Sequence, residues 1–295
     1  MPLILRKDLP CIPSLRYEGI DIHDKAPSDV TPLRLLLINL MPQKEESEME
    51  YFRMLAHPTL WVEITLVKMS GQTYKTTPQS YVDTYYEDVA RIMDSGEDYD
   101  GLVVTGAPVE KLPFEAVRYW PQLVEIFHWA ESHVNAFLSI CWGAQAALKA
   151  LYGVEKHDLP EKMFGIFRQD IHAPSSPLFS GLYDRFNMPH SRHTEVYVKD
   201  ILAHPKLTLL ASSPLSGASV IQAEGGRQLF VTGHLEYMPG RLAFEYERDL
   251  KKHLPIHVPY NYFENDDPKG PVRDSWRDGA RRFYHNWLEN YVNRA

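Results

Sequence analysis

The chain has 295 residues, 44% hydrophobic and 24% charged, enough for a sizeable core and ordinary for a globular protein. A net charge of −8 argues against nucleic acid or an anionic membrane as the main partner, and leaves room for a local basic pocket. Two cysteines, Cys11 and Cys141, give neither a disulfide framework nor metal-type spacing and point to a reducing cytoplasm, and no apolar run approaches the ~18 residues that span a bilayer.

Residues 1–32 contain Pro2, Pro10, Pro13, Pro27 and Pro32 with little periodicity, which predicts an irregular N-terminal arm wrapped on a single α/β domain of 33–295. The charges of Met1–Asp8 follow a very short apolar stretch, unlike a signal peptide. Leu33–Asn39 is a nearly continuous apolar run, the pattern of a buried parallel strand. The loop from Leu40 leads to Lys44 and an acidic helix start at Glu45, Glu46 and Glu48, suited to the positive helix end. Trp61–Val67 and Tyr99–Thr105 are the next strands, the latter ending in the turn Gly106-Ala107-Pro108. Residues 120–134 place Leu123, Ile126, Phe127 and Ala130 on one helical face, and the strand Ala136–Ile140 follows. This alternation predicts a doubly wound, mostly parallel sheet whose functional loops gather at the carboxyl ends of the strands. From 157 to 230 the pattern changes to short strand-like pieces, Leu207–Ala211, Ala218–Gln222 and Gln228–Thr232, between turns. Asp274–Tyr291 reads as a final amphipathic helix with Ala280, Phe283, Trp287 and Tyr291 on one stripe.

Cys141 sits where the strand Ala136–Ile140 must break into the helix-forming run Ala144–Leu148. A thiol on such a turn stands above the sheet edge beside the positive end of a helix, where it is exposed and its thiolate is favoured. Gly143 allows the backbone to turn tightly. Downstream, Gln228–Gly233 runs as a strand into His234-Leu235-Glu236. Glu236 can lie beside the imidazole on the same face, or brace its far nitrogen through a small turn. A histidine beside a thiol moves a proton near neutral pH while a carboxylate fixes its tautomer, so Cys141, His234 and Glu236 form the candidate catalytic set. Acyl transfer through a thioester needs N–H donors for an oxyanion; Trp142 and the Gly106 loop are the candidates. Lys44 lies on the loop after the first strand and can reach the same edge. The His190-Ser191-Arg192-His193 cluster fits no standard ligand spacing and carries a cation, so no metal is expected.

Several segments together resemble the homoserine O-acyltransferase family of the succinyltransferase type, whose fold is related to class I glutamine amidotransferases. They are Asn39–Lys44, Asp100–Pro108, Tyr119–Gln122, Cys141–Gln145, Pro189–Arg192, Val231–Tyr237 and Val258–Phe263, in order over nearly the whole chain. The resemblance implies a cytoplasmic, usually dimeric enzyme of methionine biosynthesis using acyl-coenzyme A as co-substrate, with no other cofactor. By motif position Cys141 resembles the acyl-accepting nucleophile, His234 the base and Glu236 its partner. Lys44 matches a lysine associated with the active site, and Lys162, Ser191 and Arg248 match positions that hold the amino acid; a guanidinium suits an α-carboxylate. After Gly-Ala-Pro the succinyl-transferring members resemble Leu-Gly, whereas here Val109-Glu110 follows. Glu110 resembles the acetyl-transferring kind, and its charge would repel a succinyl carboxylate. The expectation is therefore acetyl transfer from acetyl-coenzyme A to L-homoserine. Succinyl as donor or serine as acceptor are the alternatives on this scaffold, and a glutamine amidotransferase-type hydrolase is the alternative from another class.

Overall fold

The computed structural model describes residues 2–293. Its strands are β1 (Pro2–Ile4), β2 (Asp21–His23), β3 (Leu33–Ile38), β4 (Val62–Lys68), β5 (Glu87–Asp88) and β6 (Tyr99–Val104). Then follow β7 (Val134–Ile140), β8 (His157–Ile171), β9 (Arg185–Glu195), β10 (Thr208–Ser213), β11 (Gly217–Ala223) and β12 (Gln228–Val231). They form one sheet in the order β2-β1-β4-β3-β6-β7-β12-β11-β10-β8-β9, with β5 on β4. From β2 to β12 neighbours are parallel; from β12 to β9 they are antiparallel.

Alternate residues of the parallel strands feed two cores, one on each face. Leu35 and Leu37 of β3 join Phe52 and Leu55 of the helix Lys44–Leu55 and Phe283 and Trp287 of the helix Arg277–Trp287. Leu36 and Ile38 face Leu123, Ile126 and Phe127 of the helix Trp120–His133 and Ala144 of the helix Trp142–Tyr152. Each such side chain buried contributes about 1.5–3 kcal/mol, so both faces must stay covered. The register aligns the carboxyl ends: Ile38 stands opposite Val104, Val104 opposite Ser139, and Ile140 opposite Val231. Asn39, Thr105, Cys141 and Thr232 therefore leave the sheet along one edge.

The irregular arm expected over 1–32 needs correction. Pro2–Ile4 and Asp21–His23 are strands extending the parallel sheet beyond β4, and Ile12–Tyr17 is a short helix. Three-residue strands are too short to show a period in sequence, and a proline is tolerated at a strand's first residue. The changed pattern after 157 is an antiparallel layer dominated by β8 and β9, of 15 and 11 residues. The terminal helix runs from Arg277 and passes into a π-helical turn, Leu288–Val292, with Ala280, Phe283, Trp287 and Tyr291 buried. Among the described residues no helix is long and apolar enough to cross a membrane.

Candidate active site

Cys141 occupies the junction of β7 and the helix Trp142–Tyr152 with φ 51° and ψ −117°. A non-glycine residue at positive φ is strained, and here the strain is imposed by the tight strand-to-helix turn. The Cys141 N–H donates to Val231 O at 2.7 Å, pinning the elbow to the neighbouring strand. Gly143 is required by a close approach: a Cβ there would stand 2.5 Å from Thr105 O and 3.0 Å from Val104 O. The helix start is thereby pressed onto the end of β6, beside Gly106.

Gly106 touches the reacting pair directly. A Cβ on it would lie 3.3 Å from Cys141 Cβ, 3.4 Å from His234 Cε1 and 3.8 Å from Cys141 Sγ. Trp142 opens the helix directly after Cys141, where a backbone N–H has no partner within the helix. His234 is held by its own N–H to Pro189 O, 2.8 Å, by near-parallel stacking on Tyr237 at 4.1 Å, and by Nδ1 against Glu236 Oε1 at 2.6 Å. Burial disfavours the charged ring, but the negative charges of Cys141 and Glu236, with hydrogen bonds to both, outweigh it and raise the His234 pKa well above the usual imidazole range. The turn after β12, rather than a continued strand, lets Glu236 reach Nδ1 and leaves Nε2 for the sulfur.

Of these residues Gly106, Cys141, His234 and Tyr237 line a cavity of about 370 Å³. Lys162 of β8 and Ser191 of β9 enter it with Arg248 of the helix Arg241–Lys251. Two carboxylates that the sequence reading did not single out join them, Glu245 and Asp249. Lys162 Nζ lies 3.2 Å from both Glu245 Oε2 and Asp249 Oδ2. Ser191 Oγ donates to Glu245 Oε2 at 2.5 Å, Tyr237 Oη to Glu245 Oε1 at 3.0 Å, and Arg248 Nε to Asp249 Oδ1 at 2.7 Å. Burial opposes the Glu245 charge, yet Lys162, the Ser191 hydroxyl and Arg248 hold its pKa below the usual value. The signal was present: Arg241, Glu245 and Asp249 recur every four residues around Arg248, a charged stripe that ordinarily faces solvent.

Glu110 also faces this cavity, its Oε1 accepting the His193 N–H at 3.2 Å. Burial raises its carboxyl pKa, while that N–H and the charges of His234 and Lys162 oppose the shift. Lys44 is placed differently from the expectation that it reaches the rim. It is 1% exposed, lies outside the cavity lining, and donates to Asn39 O at 2.5 Å, 4.6 Å from the Tyr74 ring. Burial lowers its pKa to about 8. The helix that Lys44 opens carries the ammonium inward beneath the 39–43 loop, so the residues at the cavity are Met41, Pro42 and Gln43. His190 and Arg192 are likewise buried and tied to each other, Arg192 Nε donating to His190 Nδ1 at 3.3 Å. His193 alone of that pair of histidines reaches the cavity.

The chain is similar to known proteins over nearly its whole length. A homoserine O-acetyltransferase of Parabacteroides distasonis is 47% identical, over 99% of this chain and 94% of its own length. One from Geobacillus kaustophilus is 42% identical, over 99% and 97%. The crystal structure of a glutamine amidotransferase from Thermotoga maritima superposes with a TM-score of 0.57 at 12% identity, covering 90% of this chain and all of that one, which shows a shared fold. The profile of the family described as homoserine O-succinyltransferase matches residues 2–295, and the chain belongs to that family.

Proposed function

We propose that this protein is a homoserine O-acetyltransferase that moves an acetyl group from acetyl-coenzyme A to the hydroxyl of L-homoserine through a thioester on Cys141, in methionine biosynthesis. The observation that carries the reading is the Cys141–His234–Glu236 set opening into a cavity that also holds the Lys162, Ser191, Glu245 and Arg248 cluster. The names of the relatives supply the substrates.

The Cys141 thiolate, paired with the His234 imidazolium, attacks the thioester carbonyl. The resulting oxyanion is met by the Trp142 N–H and the Gly106 loop. The carbon–sulfur bond to coenzyme A breaks, and His234 protonates the departing thiolate. Homoserine then enters, its α-carboxylate toward Arg248 and its ammonium toward Glu245. Its hydroxyl gives a proton to His234 and attacks the acetyl-enzyme, releasing the Cys141 thiolate and O-acetylhomoserine. Glu236 holds the imidazole in the tautomer both steps need. Lys44 supports the 39–43 loop from beneath. No metal or prosthetic group is required by these steps. Glu110, facing the acyl position, favours acetyl over succinyl. A cytoplasmic location and a homodimer belong to the same proposal.

Incubation with acetyl-coenzyme A alone, followed by intact mass under conditions that preserve thioesters, is expected to give one acetyl adduct, absent from Cys141→Ala. An adduct on neither protein, or turnover retained by Cys141→Ala, refutes the mechanism. A matrix of acetyl- and succinyl-coenzyme A against homoserine and serine fixes the substrates.

A further inference from the structure

The cavity at Cys141, about 370 Å³, suits an amino acid and a two-carbon acyl group. A coenzyme A thioester carries a long arm and a nucleotide beyond its sulfur, so it must leave through an opening. A second cavity of about 480 Å³ shares Lys111, Lys162, His193, Asp249 and Leu254 with the first. A third, of about 650 Å³, shares Leu159, Pro160, Glu161, Lys162 and His257 with the second. The shared residues set the three cavities side by side, from the thiol toward a surface trough that ends at Leu215 and Tyr260, which are 61% and 51% exposed. A hollow of about 350 Å³ that shares Arg241 with the first cavity has its charges already paired, Arg241 with Glu46 and Glu50 and Arg53 with Glu18. Lys111, at the junction of the first two cavities, has no ion-pair partner among the described residues.

The walls of the trough are two extended segments that start together and part. Tyr260 N donates to Phe164 O at 2.9 Å, and Ile166 N to Tyr260 O at 2.8 Å. Gly165, at φ 141°, permits this: a Cβ there would meet the Tyr260 backbone at 2.4 Å. Beyond that pin the segments splay. The register of β8 on β9 breaks between Asp158 and Met163, so Leu159–Lys162 lie outside the paired residues. Across the trough, the N–H groups of Ile256, His257 and Val258 have no acceptor among the described residues. One side-chain bond crosses the gap, His257 Nε2 to Lys162 O at 3.1 Å. Unpaired backbone groups beside Leu159, Pro160, Leu254, Pro255 and Ile256 are what an extended ligand with amides of its own can satisfy, as a peptide does at a sheet edge.

We propose that the pantetheine arm of the acyl-coenzyme A donor lies in this trough between residues 159–162 and 254–258, its two amides meeting the unpaired backbone and its sulfur reaching Cys141. The inference rests on the acyl-coenzyme A reading and adds the path of the donor. The arm passes Lys162 and Asp249, so coenzyme A must depart before homoserine takes its full set of contacts.

Pro160→Trp and Ile256→Trp narrow the trough from opposite walls, and neither residue lines the cavity at Cys141. Each is assayed with acetyl-coenzyme A and with S-acetyl-N-acetylcysteamine, which ends before the second amide. The expected result is a KM for acetyl-coenzyme A raised about tenfold or more, with kcat/KM for the short donor within about twofold of wild type. Equal losses with both donors in variants that melt like wild type, or no loss with either, overturn the path while leaving the acyltransferase reading intact. A wild-type protein that is acetylated by neither donor overturns that reading and the path with it. Amide hydrogen exchange of unmodified protein gives an answer independent of the variants: coenzyme A is expected to slow exchange at Ile256, His257 and Val258, and unchanged exchange there at saturating coenzyme A refutes the proposal.

Discussion

Gly143→Ala sets two effects of opposite sign against each other. Alanine is the better helix former by about 1 kcal/mol, and Gly143 lies in the first turn of the helix Trp142–Tyr152, without a positive φ. The added methyl, however, would stand 2.5 Å from Thr105 O and 3.0 Å from Val104 O, both backbone atoms at the end of a central strand. Relieving that overlap moves the helix start off β6 by several tenths of an ångström or more, and overpacking of this kind costs about 1–3 kcal/mol. Sterics win: the net change is expected to be a destabilisation of up to about 2 kcal/mol. The larger consequence is catalytic. Cys141 moves with the helix, whereas Gly106 and His234 stay with β6 and β12, and a misplacement near 1 Å costs about a hundredfold in rate. Urea unfolding and the stopped-flow rate of Cys141 acetylation measure the two effects separately. A variant more stable than wild type and acetylated at the wild-type rate would show that the glycine is a mere helix weakness and that the elbow is not set by this contact.

Glu110→Gln is expected to improve succinyl-coenzyme A relative to acetyl-coenzyme A, since like charges about 5 Å apart at an effective dielectric near 20 repel by ~3 kcal/mol, some two orders of magnitude. Because burial raises the Glu110 pKa, the wild-type preference should weaken as pH falls; an unchanged donor ratio in the variant and across pH sinks the assignment. Glu245→Gln removes the charge shared by Lys162 and Arg248 and is expected to cost about 2 kcal/mol, ~30-fold in kcat/KM for homoserine, with the acetylation half-reaction less affected. An unaltered homoserine KM contradicts that role. His285 is a test of stability alone: burial lowers its pKa from 6.5 to about 4, with Nε2 on Ala56 O at 2.9 Å. The unfolded chain takes up that proton first, so the contribution is intact above pH 6.5 and is lost as pH falls toward 4, about 1–2 kcal/mol after allowance for partial exposure. His285→Gln should flatten the acid limb of a denaturation series between those pH values, and an identical limb would refute the linkage.

Much of this protein is written in local pattern. The apolar runs read at Leu33–Asn39, Tyr99–Thr105 and Ala136–Ile140 correspond to the buried parallel strands Leu33–Ile38, Tyr99–Val104 and Val134–Ile140, because both faces of each must be covered, and the 3.6-residue stripe Leu123, Ile126, Phe127 and Ala130 gave a core-facing helix. The elbow at Cys141 and the His-x-Glu step after β12 were legible as chemistry tied to breaks in regular structure. Other features carry no such mark. Strands of three residues at Pro2–Ile4 and Asp21–His23 are shorter than any period, and β8 and β9 interrupt their alternation with Pro160, Gly165, Pro189 and Arg192. Whether a charged helix stripe meets water or a cavity depends on what packs opposite, so Glu245 and Asp249 emerged only when β8 and β9 were laid against their helix. The same holds for Lys44, which the sequence put at the loop and the fold turned inward onto Asn39 O. Local composition chose the strands, helices and reactive residue types, because backbone propensity and burial period act over a few residues. The encounter of residues 106, 110, 141, 191, 234 and 245 was decided by sheet register and crossover alone, because contacts between distant segments leave no trace in either segment by itself.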